Sequence, residues 1–348
     1  MISPPLDKAA RIDPRLAMRI LNLAPLFFLC LVVAMFALLS DRFFSAQNAL
    51  NVLTQSSALA VMAVGMSFVL LIGGIDLSIG AAIYVISVVI GMVLTAAPAW
   101  LALLAAMAMG GAFGALNGLI IVRLRVVAFM ATIAMMFIDR GFGLFLSDTQ
   151  GVAAGAQISD LARASLWRVP AAIAIAAAAI AGAALLLRAT PFGRHVYAIG
   201  ADREGARKAG VDVVRTQLAL YVLCGVFAGL GGFIALFQVG FVSSGFGDGD
   251  EFLAVAAAVL GGVSLFGGRG GVWGPALGAV LIETVQNGLV MTNADPYVYS
   301  LATAVCIFLA VLIDTLRARA VARLQQRRIL ARDAAAPTAR LTTADARS

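Results

Sequence analysis

The sequence predicts an all-α, polytopic membrane protein with about ten transmembrane helices. Of its 348 residues, 62% are hydrophobic and only 12% are charged, a balance far from that of soluble domains. Apolar runs long enough to cross a bilayer recur from end to end, and the alternating strands of a membrane barrel are absent. We therefore expect a bundle of helices surrounded by lipid.

Ten apolar segments set the predicted order of the membrane helices. The first is interpreted as a retained span, because no apolar core followed by small residues marks a cleavage site. The eighth extends only ~24 Å at about 1.5 Å per residue, which is short for a hydrocarbon core of ~30 Å. The predicted segments are 21–40, 51–72, 79–95, 99–122, 127–146, 170–187, 216–239, 251–266, 275–292 and 297–313.

The distribution of basic residues predicts that both termini are cytoplasmic. With the N terminus inside and ten crossings, 21 of the 25 Lys and Arg lie on the cytoplasmic side and three lie outside. The predicted organisation is a basic tail (1–20), a membrane domain (21–316) and a disordered basic tail (317–348). Because the net charge of +7 sits in loops and tails, it does not indicate a nucleic-acid partner.

A charged segment, 188–215, interrupts the apolar sequence near the middle of the chain and is predicted to be cytoplasmic. Within it, Asp202 begins and Gly210 ends a predicted helix of about two turns. Arg207 and Lys208 lie at the negative end of its dipole. A helix this short is unstable by itself, so we expect it to rest on a soluble partner; a self-contained surface turn is the alternative.

The first candidate functional motif is LIGGIDLSIG at 71–80. Gly73 and Gly74 permit the backbone geometry that ends a helix, and Asp76 or Ser78 can cap the next one. One interpretation is a hairpin turn with a capping acid. The other is an unwound segment beside a permeation route, because ionisable groups at membrane depth tend to line cavities.

The second motif, LGGVSLFGGRGGVWG at 260–274, has a similar layout, with paired glycines and Arg269 as the nearby charge. The triplets that begin at Asn117 and Asn287 add to this similarity. Glycine-interrupted segments at matching places indicate the transport pathway in transporters built from repeats. We therefore predict two pseudo-repeated halves, with Gly267 and Gly268 beside the pathway.

Other polar residues within the spans form no clear catalytic set. Asp139 and Arg140 point about 100° apart on a helix and need not pair with each other. Glu283 and Asn287 share one helix face beside Gln286. Contact between helices is the favoured role for these residues, and lining of a pathway is the alternative. One interpretation of the outer loop 147–169 is a segment with a short surface helix that meets an extracytoplasmic partner, and the alternative is a solvated connector.

The chain is not predicted to bind a cofactor, metal or nucleotide. Its two lysines, Lys8 and Lys208, are not part of GxxxxGK[ST], so the sequence contains no phosphate-binding P-loop. Cys30, Cys224 and Cys306 lie within apolar runs and are interpreted as small core residues. An ATPase that drives this protein would have to be a separate chain.

Four ordered motifs resemble the permease subunits of ribose-type ABC importers, in the branched-chain amino-acid and sugar permease superfamily. They are GGIDLSIG (73–80), NGLIIVRLRVVAFMATIAMM (117–136), TPFGRHVYAIGADREGARKAGVDV (190–213) and AAVLGGVSLFGGRGGVWG (257–274). The resemblance implies a homodimeric or paired permease in the bacterial inner membrane. It also implies a cytoplasmic ABC ATPase that binds the ATP, and a periplasmic sugar-binding protein.

The resemblance also implies that GGIDLSIG flanks the translocation path and that 190–213 contains the element that docks on the ATPase, with Gly200, Asp202, Arg207 and Gly210 at matching positions. Together with the motifs above, this predicts two sets of site residues. The candidate pathway residues are Gly73, Gly74, Asp76, Ser78, Asn117, Gly267, Gly268 and Asn287, and the candidate ATPase-coupling residues are Arg194, Gly200, Asp202, Glu204, Arg207, Lys208 and Gly210. The expected function is import of a monosaccharide, without catalysis by this chain. An ABC permease for branched-chain amino acids or nucleosides and an ion-coupled secondary carrier are the alternatives, and the latter would need titratable groups such as Asp76, Asp139 and Glu283.

Overall fold

The computed structural model describes residues 14–295, 297–299, 301–309, 311–312 and 315. The basic tail 317–348 and the first 13 residues of the predicted N-terminal tail lie outside the described residues. In chain order the helices are α1 (Pro14–Leu39), α2 (Ala46–Leu70), α3 (Ile79–Val93), α4 (Ala99–Arg123), α5 (Ala128–Ser147), α6 (Ala156–Ser159), α7 (Ala171–Ala189), α8 (Pro191–Ala201), α9 (Arg203–Lys208), α10 (Val213–Val239), α11 (Asp250–Leu260) and α12 (Trp273–Met291), followed by a C-terminal helix, Tyr297–Leu309.

Five of the described helices, α2, α4, α5, α7 and α10, are long and apolar enough to cross a membrane. The second part of α1, α3 and the C-terminal helix are shorter apolar helices. This arrangement confirms a helical membrane protein, while ten crossings and cytoplasmic termini stay predictions. One predicted boundary is wrong, because α11 ends at Leu260 instead of continuing to 266. Helix α1 begins at Pro14, within the predicted tail 1–20, and the tail itself stays a prediction.

The short α11 follows from the glycines that come after it. Its 11 residues extend about 16 Å at 1.5 Å per residue, roughly half of a hydrocarbon core. Gly262 then adopts a φ of 94°, a left-handed conformation that residues with a Cβ rarely adopt. The chain turns there and begins α12 at Trp273.

Helices α2, α3 and α10 form the centre of the bundle. They carry most of the largest fully buried side chains, including Phe68 on α2, Tyr84 on α3 and Tyr221 on α10. The rings of Phe68 and Phe227 pack with their centroids 5.7 Å apart. Helices α4, α5 and α7 are buried on one side only, as expected for helices whose other side faces lipid.

Helices α4 and α10 pack backbone against backbone through small residues. On α4, Ala106, Gly110 and Gly114 recur every fourth position. A Cβ added to Gly225 of α10 would lie 2.9 Å from the backbone nitrogen of Gly114, and one added to Gly229 would meet the carbonyl of Ala106. Small residues four apart allow membrane helices to approach closely, which strengthens van der Waals contact.

The far ends of α5 and α10 are joined by short strands that the sequence analysis did not predict. Strand β1 (Val152–Ala153) pairs antiparallel with β4 (Phe241–Val242), and β2 (Ser165–Leu166) pairs with β3 (Val169–Pro170). The loop 147–169 does contain the expected short helix, α6, followed by a 3-10 turn.

At the same end, Arg140 holds the segment between β4 and α11. It forms an ion pair with Asp248, donates a 2.8 Å hydrogen bond to the carbonyl of Phe246, and lies 4.9 Å from the ring centre of Tyr84. Asp139 is buried separately, so the prediction that it need not pair with Arg140 is confirmed.

Candidate functional site

The first glycine loop, residues 71–78, interrupts the chain between α2 and α3. Turn hydrogen bonds from Gly73 N to the carbonyl of Leu70 (2.8 Å) and from Gly74 N to that of Val69 (3.0 Å) close the end of α2. Gly73 has a φ of 71°. A Cβ on Gly74 would lie 2.8 Å from the hydroxyl of Tyr221, so only glycine lets α10 pack this closely.

Asp76, Ser78 and Asn117 form one buried polar network, and Asp76 and Asn117 are each 1% exposed. One carboxylate oxygen of Asp76 accepts hydrogen bonds from the Ser78 backbone (3.1 Å) and hydroxyl (2.7 Å). The Asn117 amide donates to both oxygens of Asp76, at 3.1 and 3.2 Å, and to the Ser78 hydroxyl at 2.7 Å. The network ties the first glycine loop to α4.

This network also decides how α3 begins. Ser78 is the N-cap residue, but its side chain makes no capping bond, whereas Asp76 accepts from its backbone nitrogen. Neither of the two capping residues considered therefore bonds to the first turn of α3, and Asp76 instead fixes the Ser78 backbone that precedes the helix. Its burial shows that Asp76 faces its partners in this conformation rather than open space.

We expect Asn117→Ala to lower the free energy of unfolding by about 1–3 kcal/mol, because buried hydrogen bonds to a carboxyl group are lost. Thermal unfolding of the purified protein measures the change. Thr284→Val is the matched control, since the buried Thr284 hydroxyl bonds only to the carbonyl of Val280 within its own helix. Equal effects of the two substitutions would contradict a role of Asn117 in holding the first glycine loop.

The second glycine loop, residues 261–272, lies directly against the first. Gly268 N donates a 2.8 Å hydrogen bond to the carbonyl of Leu71. A Cβ on Gly267 would lie 2.9 Å from the backbone nitrogen of Gly73. Two motifs that are about 190 residues apart in sequence therefore meet at one place, where each ends a helix of the bundle.

The segment between α7 and α10 folds into two short helices, here called the α8–α9 elbow (residues 190–211). Thr190 caps α8 through a 3.4 Å bond from Gly193 N. Asp202 caps α9 by accepting from the backbone nitrogens of Glu204 and Gly205, both at 3.0 Å. Gly210, with a φ of 87°, follows α9. The predicted short helix and its N-cap are confirmed.

One side of the elbow is exposed and charged. Arg207 pairs with Glu204 at 2.8 Å within α9, and Arg194 and Lys208 are exposed. Exposed ion pairs of this kind add little stability, about 0.3–0.5 kcal/mol on a helix. These charges are therefore available to a partner.

The other side of the elbow contacts both glycine loops. A Cβ on Gly200 would meet the carbonyl of Leu71 and would lie 2.6 Å from Gly268 N. The Tyr197 hydroxyl donates a 3.0 Å bond to the carbonyl of Gly270. Ile199 and Ala206 pack in a small apolar cluster with Ile72 of the first loop. The elbow and the two loops thus form a three-way junction.

A cavity of about 650 Å³ lies between the first glycine loop, the α4–α5 turn and α9. Arg125, Arg203 and Glu204 are among its polar lining residues, and Gly73 and Gly74 are at its wall. Arg203 also donates a 2.6 Å bond to Gln217 of α10. Because this side of the junction is not close-packed, the elbow and the loop have room to move relative to each other.

Asn287 does not belong to the junction. Its side-chain oxygen accepts a 2.9 Å bond from Asn48 at the start of α2. It lies on the first helix after the second glycine loop, whereas Asn117 lies on the second helix after the first loop. The two asparagines are therefore not equivalent positions of a repeat, and that part of the predicted similarity is wrong.

Sequence reasoning missed several residues that build the site. Tyr197 bonds the elbow to the second glycine loop, Gln217 bonds to the elbow, and Tyr221 contacts the first glycine loop. Nothing in their local sequence pattern marks these residues. The packing of Gly110 and Gly114 against α10 did leave a signal, because small residues recur every fourth position of α4.

Comparison with known proteins agrees with this architecture. Residues 48–313 match the family described as branched-chain amino acid transport system / permease component. The chain is 35% identical over 297 residues to the ribose import permease protein of Escherichia coli K12, covering 83% of this chain and 92% of that protein. It is 33% identical to the ribose import permease protein of Bacillus subtilis, covering 84% and 92%.

A third relative is the D-allose transport system permease protein of Escherichia coli K12, at 30% identity over 83% of this chain and 90% of that protein. No solved structure matches the chain significantly. The family match covers both glycine loops, the α8–α9 elbow and the helices between them. The chain therefore belongs to the family described as branched-chain amino acid transport system / permease component.

Proposed function

We propose that this chain is the membrane subunit of an ATP-driven importer that carries a monosaccharide, such as a ribose-like pentose, a hexose or a related polyol, into the bacterial cytoplasm. The relatives named for ribose and allose support this cargo. The chain itself is not an enzyme in this proposal. A separate ABC ATPase binds and hydrolyses the ATP.

The observation that carries the proposal is the three-way junction. An importer driven by a soluble ATPase needs an element that the ATPase can bind and that contacts the membrane pathway. The α8–α9 elbow has both properties, because Arg194, Arg207 and Lys208 are exposed on one side while Gly200 contacts both glycine loops on the other.

In the proposed mechanism, ATP binding to the partner ATPase displaces the α8–α9 elbow as a rigid unit. Gly200 lies against the carbonyl of Leu71 and the backbone of Gly268, so displacement of α8 shifts both loops together. The buried network of Asp76 and Asn117 passes the shift of the first loop to α4. Rigid elements with two arrangements are the physical requirement for such coupling.

The proposed assembly places the chain in the inner membrane with both termini in the cytoplasm. A second permease copy forms the other half of the pathway, and a periplasmic sugar-binding protein delivers the cargo. The charge asymmetry of the sequence supports this orientation.

The decisive experiment is co-purification of this protein with a co-expressed ABC ATPase from the same organism. We expect Arg207→Glu/Lys208→Glu to reduce recovery of the ATPase at least about tenfold, since reversal of two charges at an interface costs more than about 1.4 kcal/mol. Arg163→Glu is the control, because Arg163 is also an exposed arginine with an acidic partner three residues away but lies in the loop between α5 and α7. Wild-type uptake that follows an ion gradient without any ATPase would contradict the proposal and favour a secondary carrier.

The cargo is tested separately. The family description names branched-chain amino acids, so uptake of labelled ribose by the assembled importer should be measured with unlabelled allose or leucine as competitor. We expect allose to compete and leucine not to compete. The opposite pattern would assign the chain to the amino-acid branch of the family.

A further inference from the structure

A second cavity, distinct from the junction, lies between α2, α12 and the C-terminal helix. Its volume is about 560 Å³, within the range of about 300–1,000 Å³ typical of small-molecule sites. The described residues that line it are polar with one exception, Val290. The polar set, here called the amide cavity, is Gln55, Glu283, Gln286, Asn287, Tyr299 and Thr303.

The depth of this cavity makes its composition informative. Glu283 is ten residues into the 19-residue α12, so it lies near the middle of that helix and of the predicted span 275–292 rather than at either end. Polar and ionisable side chains are costly at such depth and usually face a water-filled cavity or a transport path. Helix-to-helix contact does not explain them, since within the described residues Glu283 and Gln286 make no hydrogen bond.

The donors and acceptors of the cavity suit a cargo with many hydroxyl groups. Each amide offers both an acceptor oxygen and two N–H donors, and the carboxyl of Glu283 and the hydroxyls of Tyr299 and Thr303 add further partners. Asn287 uses its oxygen to hold Asn48, so its amide N–H groups remain for a ligand. The set contains a single carboxyl and no basic group, so it lacks the paired charges that the zwitterionic backbone of an amino acid would require.

We infer that the amide cavity is the place where the permease itself contacts its cargo in the membrane, and that the cargo class it accepts is a neutral polyhydroxylated molecule such as a monosaccharide. The inference rests on the proposed function and deepens it, because it assigns part of the selectivity to this chain. Gln286 and Gln55 supply hydrogen bonds from opposite walls, α12 and α2. Transient hydrogen bonds from these amides replace the hydrogen bonds to water that the sugar loses when it enters the membrane.

The test is ATP-driven uptake by the complete importer in proteoliposomes, with ribose, allose and galactose as the labelled probes. We expect Gln286→Leu and Gln55→Leu each to reduce uptake at least about fivefold, while the ATPase rate of the assembled complex stays within about twofold of wild type. Asn51→Leu is the matched control, because Asn51 is an exposed amide one turn before Gln55 on α2 that does not line the cavity. Unchanged uptake by both leucine variants would overturn the inference.

A second measurement does not depend on whether the two leucine variants fold normally. In a background where Cys30, Cys224 and Cys306 are replaced by serine, Gln286→Cys should react with a charged methanethiosulfonate reagent, and millimolar transported sugar should slow this reaction. If the thiol introduced by Gln286→Cys did not react with the reagent, or if sugar did not slow the reaction, the inference would be overturned. ATP-driven sugar uptake by wild type would in that case still support the proposed function. If wild type carries none of the three sugars, the cargo part of the proposed function fails, and the inference fails with it.

Discussion

Replacement of Gly200 by valine is expected to reduce uptake about 5- to 150-fold, the range that corresponds to a coupling free energy of about 1–3 kcal/mol. The added Cβ alone would meet the carbonyl of Leu71 and lie 2.6 Å from the backbone nitrogen of Gly268. These neighbours are backbone atoms that cannot rotate away. The elbow must therefore move off one or both glycine loops, which breaks the three-way junction.

The loss should be specific to coupling. Arg207 and Lys208 are exposed on α9, whereas Gly200 lies on α8. The ATPase should therefore still co-purify and hydrolyse ATP without transport. Gly200→Ala should have a smaller effect of the same kind. Gly182→Val is the control, because a Cβ at Gly182 in α7 has nothing within 4 Å. Normal uptake by Gly200→Val would show that the elbow does not act through the glycine loops.

Replacement of Gly225 by valine should destabilise the bundle strongly. A Cβ at this position would meet the carbonyl of Gly110 and lie 2.9 Å from the backbone nitrogen of Gly114. Overpacking of a core costs about 1–3 kcal/mol when side chains can adjust, and more when they cannot. Here α4 and α10 would have to separate along their length, and the van der Waals contact that holds membrane helices together would be lost.

Thermal unfolding followed by size-exclusion chromatography in detergent measures this effect. Gly225→Val should unfold or aggregate at a much lower temperature than wild type, with Gly225→Ala between the two. Gly141→Val on α5 is the matched control, since a Cβ at Gly141 has no neighbour within 4 Å. If Gly225→Val and Gly141→Val unfold at the same temperature, the close contact between α4 and α10 does not stabilise the bundle.

Much of this fold could be predicted from local sequence. Hydrophobic length located α2, α4, α5, α7 and α10, because a span depends on the composition of about 20 consecutive residues. Local capping chemistry located the short helix α9, since Asp202 bonds to the nitrogens of Glu204 and Gly205 within three residues. Glycine pairs marked both loops for the same reason: their effect is on the backbone that carries them.

The same local reasoning failed where the outcome depended on neighbours. It extended α11 to 266, because the apolar pattern continues beyond the point where Gly262 turns the chain. It treated Asn117 and Asn287 as equivalent, although one binds Asp76 and the other binds Asn48. It left open whether Asp76 caps a turn or lies beside a pathway, because a local pattern does not show that Asn117 of α4 helps to enclose the carboxylate.

The sequence by itself determined that this is a helical membrane protein of the permease family, where the polypeptide breaks its helices, and which segment is charged. Only the tertiary structure decided that Gly200, Leu71 and Gly268 meet at one junction, and that Gln55 and Gln286 face the same cavity. The physical reason is the range of the interactions. Hydrophobic length, caps and glycine conformations act within a few residues, whereas close packing and shared polar cavities arise between helices that the chain brings together from distant positions.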